Sequence, residues 1–218
     1  MTSASAGTLV AYCEVGIMKR AALGFRMHSG WGVIVAVAGD ADSVEIVERK
    51  RIVVTDAGMP GAIQPYHHAA NLKIQESESY LANCAAVSER LAVAAIEHVI
   101  HELDLREYRI VGSAVLLASG RALPPLPKIL AAHPLIHTAE GEFFRTAIRN
   151  ACARLKISVE AIRERELEDR MKAAFGSSTS RVQRRLENAG RSIGPPWNKD
   201  HKTAAQAALI ALSPASGR

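Results

Sequence analysis

The stretch AALGFRMHSGWGVIVAVA at residues 21–38 decides the fold. Two apolar segments, Ala21 to Met27 and Trp31 to Ala38, are joined in it by the short polar turn His28-Ser29-Gly30. A third extended segment, Val44 to Thr55, follows after another polar connection. Short segments with β-branched residues and tight polar joins are typical of β-hairpins. The sequence therefore predicts an antiparallel meander of three strands.

Helical and strand patterns follow the meander. Residues 56–68 are rich in Gly, Pro and His, which predicts an irregular loop or lid. Apolar residues recur at helical spacing over 77–103, and YRIVGSAVLLA at 108–118 predicts a strand buried on both faces. A helical pattern resumes from about Pro124, and Phe143–Leu155 form the face of a helix that Thr138 could cap near Ala139 and that Gly141 interrupts. The later predicted elements are a strand at Ile157–Ile162, helices at Glu164–Phe175 and Arg181–Ala189, the second ending at Gly190, and a last helix from the N-cap Asn198 to Leu212.

This order of elements resembles the ribonuclease H-like superfamily over roughly residues 20–212. The resemblance lies in the architecture and not in any short motif. It implies an α/β fold with a mixed sheet of five strands, three antiparallel and then two parallel additions, flanked by helices. We expect one domain over residues 18–218, preceded by an N-terminal tail at 1–17.

Active nucleases of that superfamily carry acidic residues on the first strand, near the end of the fourth strand and on the last helix, because two divalent ions share these carboxylates. Here the first strand has no acid, the fourth ends in Ser119-Gly120-Arg121, and only Asp200 matches. Arg26 and Arg121 would repel cations. The sequence therefore predicts a domain without two-metal nuclease activity.

The strand ends instead carry polar and cationic residues that the fold would bring together. Open α/β sheets bind ligands at such ends. Arg121, Lys202 and the N–H groups of the last helix predict a site for a small anion, such as phosphate or carboxylate. The candidate residues are His28, Ser119, Arg121, Asp200, His201 and Lys202.

The segment His133-Pro-Leu-Ile-His137-Thr-Ala-Glu140 is the sharpest local motif. Two imidazoles four residues apart lie on one face of a helix, with a carboxylate one turn further, and this spacing suits Zn²⁺. We therefore take His133, His137 and Glu140 as candidate metal ligands. The alternative is a hydrogen-bonded structural cluster at the mouth of the sheet.

Two further histidine groups carry weaker signals. His98, His101 and Glu102 share the polar face of the long predicted helix, which indicates a solvated surface. His67 and His68 are adjacent in the predicted loop, where extended neighbours point apart. We expect them to contribute to a lid and not to form a joint ligand pair.

Composition limits the function classes. Three widely spaced cysteines support neither a disulfide framework nor a metal knuckle, and the chain lacks an apolar run of 18 residues. We therefore expect a cytoplasmic protein that does not bind membranes. Residues 145–218 hold 15 Lys and Arg against 7 Asp and Glu, including the arginines Arg181, Arg184, Arg185 and Arg191. This basic C-terminal region permits binding to nucleic acid.

Three functional hypotheses remain open at this level. The first is a domain that binds a small anion or a partner at its strand ends. The second is a divergent nucleic-acid-processing enzyme of the nuclease or resolvase type, and the third is a protein–protein interaction domain. The sequence indicates no particular cofactor, substrate or oligomeric state.

Overall fold

A five-stranded mixed sheet forms the centre of the protein, and helices cover both of its faces. The computed structural model describes residues 18–118 and 120–213. The strands are β1 (Lys19–Met27), β2 (Trp31–Ala38), β3 (Glu45–Val53), β4 (Tyr108–Leu117) and β5 (Val159–Arg163). The helices are α1 (Pro65–Ala69), α2 (Ile74–Asp104), α3 (Leu126–Leu130), α4 (His133–Arg154), α5 (Leu167–Phe175), α6 (Thr179–Ser192) and α7 (Lys199–Leu212), and 3₁₀ turns at Glu164–Glu166 and Gly176–Ser178 precede α5 and α6.

The strand order is β3-β2-β1-β4-β5. β1 pairs antiparallel with β2, and β2 pairs antiparallel with β3, which confirms the meander. β4 lies parallel to β1, and β5 lies parallel to β4. The predicted fold class is thus confirmed. The predicted tail at residues 1–17 lies outside the described residues.

The alternation of side chains along β1 divides the core into two layers. Leu23, Phe25 and Met27 face the layer that contains α2 and α4, whereas Ala22 packs in the layer of α5, α6 and α7. Gly24 meets the backbone of α7, since a Cβ built on it would lie 1.8 Å from the Ala204 carbonyl oxygen. The same parity directs the next residue on that side, at position 26, toward the start of α7.

Four local expectations are wrong: the loop over residues 56–68, the helix breaks at Gly141 and Gly190, and the cap at Thr138. The loop predicted over residues 56–68 contains the start of α1, where Pro65 occupies the first turn of the helix. Gly141 and Gly190 lie within α4 and α6 and do not end a helix. Gly141 costs about 1 kcal/mol relative to Ala, but the buried apolar face of α4 outweighs this cost. Thr138 accordingly is not a cap, because α4 begins five residues earlier, at His133.

The helix α2 spans 31 residues and is the longest in the described part of the chain. It buries a single stripe of side chains, from Ser77 through Ala92 to Leu103, and exposes polar residues elsewhere. Over residues 18–118 and 120–213, no helix combines the length and the apolar character needed to cross a membrane.

Candidate functional site

A cavity of about 210 Å³ opens where β1 ends, between this strand, α1 and α4. Parallel strands end together at this edge of the sheet, which is where α/β folds place ligands. The cavity is lined by Arg26, Met27, His28, Ser29, Gln64, His67, His137, Glu140, Gly141 and Arg145. The lining is thus rich in imidazole and guanidinium groups.

Three histidines converge beside this cavity. His133 and His137 lie one turn apart on α4, with ring centroids 4.4 Å apart. The His67 ring, on α1, lies 4.8 Å from that of His137 and 5.4 Å from that of His133. Each ring offers one nitrogen within 4.8 Å of the other two. His133 and His137 are exposed and His67 is half-buried, so the cluster is accessible from solvent.

Glu140 joins α4 to α1 and orients His67. Its side chain is 5% exposed. The carboxylate oxygen Oε1 accepts hydrogen bonds from the backbone N–H groups of Tyr66, at 2.9 Å, and His67, at 3.0 Å, and it lies 3.0 Å from His67 Nδ1. The other carboxylate oxygen is buried without a hydrogen-bond partner among the described residues. With Nδ1 engaged, His67 can offer only Nε2 to a ligand.

His28, which lines the cavity, forms a second pair with Asp200. His28 Nε2 lies 3.0 Å from Asp200 Oδ2, and the His28 ring stacks on Trp31 with centroids 4.4 Å apart. Asp200 is in the first turn of α7, whose N-cap Asn198 accepts hydrogen bonds from the N–H groups of Asp200 and His201. The predicted N-cap is therefore confirmed, and its own side chain occupies these two donors.

Arg49 of β3 holds the segment that leads into α7. Its guanidinium donates hydrogen bonds to four successive backbone carbonyls, those of Ile193, Gly194, Pro195 and Pro196. This segment connects α6 to the cap of α7. The position of the first turn of α7 thus depends on a side chain from an edge strand.

Arg26 lies between two carboxylates. Its Nη1 donates to Glu164, and its Nε lies 3.5 Å from Asp200 Oδ1. Lys199 Nζ lies 3.4 Å from the other oxygen of Glu164. Burial acts to raise the pKa of Glu164, but the hydrogen bonds and charges of Arg26 and Lys199 outweigh it and lower that pKa. Glu164 therefore stays ionised and balances Arg26.

We expect Glu164→Gln to lower the free energy of unfolding at pH 7 by about 1–2 kcal/mol, because it removes a charged partner of the half-buried Arg26. The folded pKa of Glu164 is lowered. The stabilisation is therefore present above the unfolded pKa and is lost as pH falls through the folded value. Urea unfolding at pH 7 and below about pH 4 should show a deficit that shrinks in acid. A deficit that is independent of pH would contradict this, and Glu168→Gln, at an exposed pair with Lys172, is the control.

Arg145 is buried at the floor of the cavity. Its guanidinium donates to three backbone carbonyls: from Nε to Leu116 at 2.8 Å, from Nη1 to Gly141, and from Nη2 to Met27 at 3.5 Å. Burial lowers the pKa of Arg145, while Glu142 acts in the opposite direction. In the described part of the chain it has no carboxylate within salt-bridge distance.

The residues predicted for one anion site occupy different places. His28, His137 and Glu140 line the cavity, and Asp200 contacts His28 from the first turn of α7. His201 is buried, with Nδ1 2.7 Å from Asn198 Oδ1, and Lys202 Nζ lies 3.0 Å from Glu187. Two further candidates from the end of β4 do not line the cavity among the described residues: Arg121 is exposed, and Ser119 lies outside those residues.

Sequence reasoning missed three residues of the site, namely His67, Arg145 and Glu164. His67 was assigned to a loop, although Pro65 marks a first helical turn that could have revealed α1. Arg145 could have been found from helical spacing, because His137, Gly141 and Arg145 follow one another at intervals of one turn on the same face of α4. Glu164 is separated by 138 residues from Arg26, and nothing local indicates their contact.

Part of the positive charge of the basic C-terminal region is paired within the protein. Arg185 Nη1 donates to Asp42 at 2.6 Å, and Arg181 lies 3.6 Å from the same carboxylate. Arg191 pairs with Glu187 at 3.1 Å. The surface of α6 therefore presents less uncompensated charge to a nucleic acid than its composition indicates.

Comparison of the sequence with protein-family models and with curated proteins finds no match. Among solved structures, the chain is similar to Thermus thermophilus RuvC in complex with a Holliday junction substrate, with 12% identity, a TM-score of 0.49, and coverage of 88% of this chain and 91% of that one. It is similar to the yeast mitochondrial Holliday junction resolvase Ydc2, with 12% identity, a TM-score of 0.39, and coverage of 87% and 75%. An Aquifex aeolicus member of the Ppx/GppA family has 11% identity, a TM-score of 0.34, and coverage of 72% and 39%. By its strand order and strand directions, the fold is ribonuclease H-like.

Proposed function

We propose that this protein is a metal-dependent hydrolase that holds an ion of the zinc class at His67, His133 and His137. The observation that carries the proposal is the convergence of three imidazoles, one of which is oriented by the buried carboxylate of Glu140. In zinc sites, a histidine ligand usually donates its other ring N–H to such a carboxylate. A purely structural cluster does not require this arrangement.

The geometry is compatible with a tetrahedral site after small movements. Zn–N bonds of about 2.0–2.1 Å place tetrahedral ligands about 3.3 Å apart. The nitrogens now lie within 4.8 Å of one another, and the two α4 rings are exposed, so their side-chain torsions can adjust. Three protein ligands leave a fourth position open, which is typical of catalytic zinc. His67 and His137 also line the cavity, so this position faces it.

Bound zinc lowers the pKa of water to about 7 and so supplies a nucleophile at neutral pH. The side chains of the protein must then transfer a proton and orient the reacting groups. His28 lines the same cavity and is held by Asp200 and Trp31, an arrangement that fixes the orientation of the ring. We assign His28 the role of proton carrier, with Asp200 as its positioning residue.

Two-metal nuclease chemistry is disfavoured by Arg26. Glu164 and Asp200 both contact the guanidinium of Arg26, which therefore occupies the position next to these carboxylates that a cation would need. Its positive charge is paired with both carboxylates. The metal in this proposal therefore lies at the histidines and not at the acidic positions of the nucleases that share the fold.

The direct test is titration of metal-free protein with Zn²⁺ by calorimetry, with the metal content checked by mass spectrometry. We expect one tightly bound ion per chain. Glu140→Gln should weaken its binding about 10–100-fold, because the amide holds Nδ1 of His67 less firmly. Glu102→Gln is the control, since Glu102 contacts His98 at 3.1 Å on the surface of α2. An absence of stoichiometric binding would refute the proposal.

A further inference from the structure

The buried guanidinium of Arg145 has unused hydrogen-bonding capacity. A guanidinium has five N–H donors. Arg145 directs three of them to carbonyls, one from each nitrogen, which leaves one donor on Nη1 and one on Nη2. A buried charge is costly unless it is both hydrogen-bonded and paired with an opposite charge, and Arg145 has the hydrogen bonds but no carboxylate at salt-bridge distance among the described residues. Arg145 lines the cavity, so its partner can be a bound molecule.

The charged side chains of the cavity lining differ in how closely they are paired with opposite charges. Two guanidiniums line it, but Arg26 is balanced by Glu164 and Asp200. One carboxylate lines it, and an oxygen of Glu140 is committed to His67. Among the described residues, Arg145 is thus the cation of the lining that has no carboxylate within salt-bridge distance, and a divalent ion at the histidines would add two positive charges. The Arg145 guanidinium and this ion would both attract a negatively charged ligand in the same cavity.

The size of the cavity limits what enters it. Its volume is about 210 Å³. Water occupies about 30 Å³ per molecule in the liquid, and sites for drug-sized molecules span about 300–1,000 Å³. The cavity therefore suits a tetrahedral oxyanion together with a water molecule, while any larger part of the substrate stays outside.

We propose that Arg145 and the metal ion together hold a phosphoryl group, an inference that rests on the proposed function. The substrate would then be a phosphate ester. A phosphoryl group has enough oxygens to contact the metal and two N–H donors at once and still retains an ester bond. A free carboxylate has two oxygens and no such bond to hydrolyse. In the reaction, the oxygen of water bonds to phosphorus while the bond from phosphorus to the ester oxygen breaks. One proton of the water reaches the departing alcohol through His28, and the other stays on the phosphate.

Binding is tested with inorganic phosphate and the Co²⁺-loaded protein. We expect the ³¹P signal of phosphate to broaden in the loaded wild type and not in the metal-free protein. Arg145→Gln should keep one metal ion per chain but bind phosphate about tenfold to a hundredfold more weakly. Arg149→Gln, at an exposed arginine one turn further along α4, is the matched control and should bind as the wild type does. If Arg145→Gln does not fold, phosphate binding is compared instead between Arg145→Lys and the wild type.

Turnover is tested with p-nitrophenyl phosphate and bis(p-nitrophenyl) phosphate, which distinguish monoesters from diesters. Release of nitrophenolate from either one, reduced in Arg145→Gln, supports the proposal. One bound metal without ³¹P broadening, unchanged phosphate binding in Arg145→Gln, or phosphate binding without hydrolysis of either ester would each overturn it and leave the metal site intact. Failure of the wild type to bind metal would overturn the proposed function itself and this inference with it.

Discussion

Replacing His137 by alanine is expected to abolish stoichiometric zinc binding. The change removes one of three ligands, so the affinity should fall by more than the roughly hundredfold effect of losing an orienting carboxylate. In the wild type, zinc at about 100 times its dissociation constant should add about 2.7 kcal/mol to the free energy of unfolding. For a chain of this size that corresponds to an increase of roughly 5–10 °C in melting temperature. His137→Ala should show no such increase.

The control for this experiment is His98→Ala. His98 also lies on a helix within 3.1 Å of a glutamate, but it is on the exposed face of α2 and remote in sequence from the cluster. It should retain the zinc-dependent increase in melting temperature. Equal increases in His137→Ala and the wild type would show that zinc binds elsewhere, and the three-histidine site would then be rejected.

Gly24→Ala is expected to prevent stable folding, with a loss of more than about 4 kcal/mol. The added methyl would lie 1.8 Å from the carbonyl oxygen of Ala204 and 2.7 Å from its carbonyl carbon. These are backbone atoms of α7, which cannot turn aside as a flexible side chain can. Relief would require α7 to move off the sheet, and Asp200 would move with it.

Gly112→Ala is the matched control, because Gly112 also lies in a central strand, β4. A Cβ there would be 3.4 Å from the nearest atoms, which is close to ordinary contact. Its effect should be within about 1 kcal/mol. Circular dichroism and urea unfolding of the two variants provide the comparison. A folded Gly24→Ala of wild-type stability would contradict the described packing of α7 on β1.

The architecture could be predicted from the sequence because it rests on local patterns. Alternating apolar residues and polar turns indicated the meander, and Asn198 indicated the start of the last helix. The failures occurred where tertiary packing overrides a local signal. Gly190 has the residue type of a helix end, yet it lies within α6 because the Trp197 ring packs against its Cα, where a Cβ would come within 1.9 Å of the ring.

The site was predictable only in part, for a physical reason. The pairing of His133 with His137 follows from helical spacing within one element. The third histidine and the role of Glu140 depend on how α1 docks on α4, 73 residues away in sequence. Likewise, the contacts of Arg26 reflect the junction of β1, the 3₁₀ turn Glu164–Glu166 and α7, and no periodicity within a single segment encodes such a junction.

The four carbonyl contacts of Arg49 have a consequence for genetics. Arg49 does not line the cavity, yet it anchors the backbone just before the helix that carries Asp200. A random-mutagenesis screen for loss of activity should therefore recover substitutions at Arg49 together with those at His28 and Asp200. The phenotype alone would not separate these substitutions, although His28 would transfer the proton and Arg49 would only hold the segment before α7 in place. The map of inactivating mutations should thus extend along the outer edge of the sheet, well beyond the pocket itself.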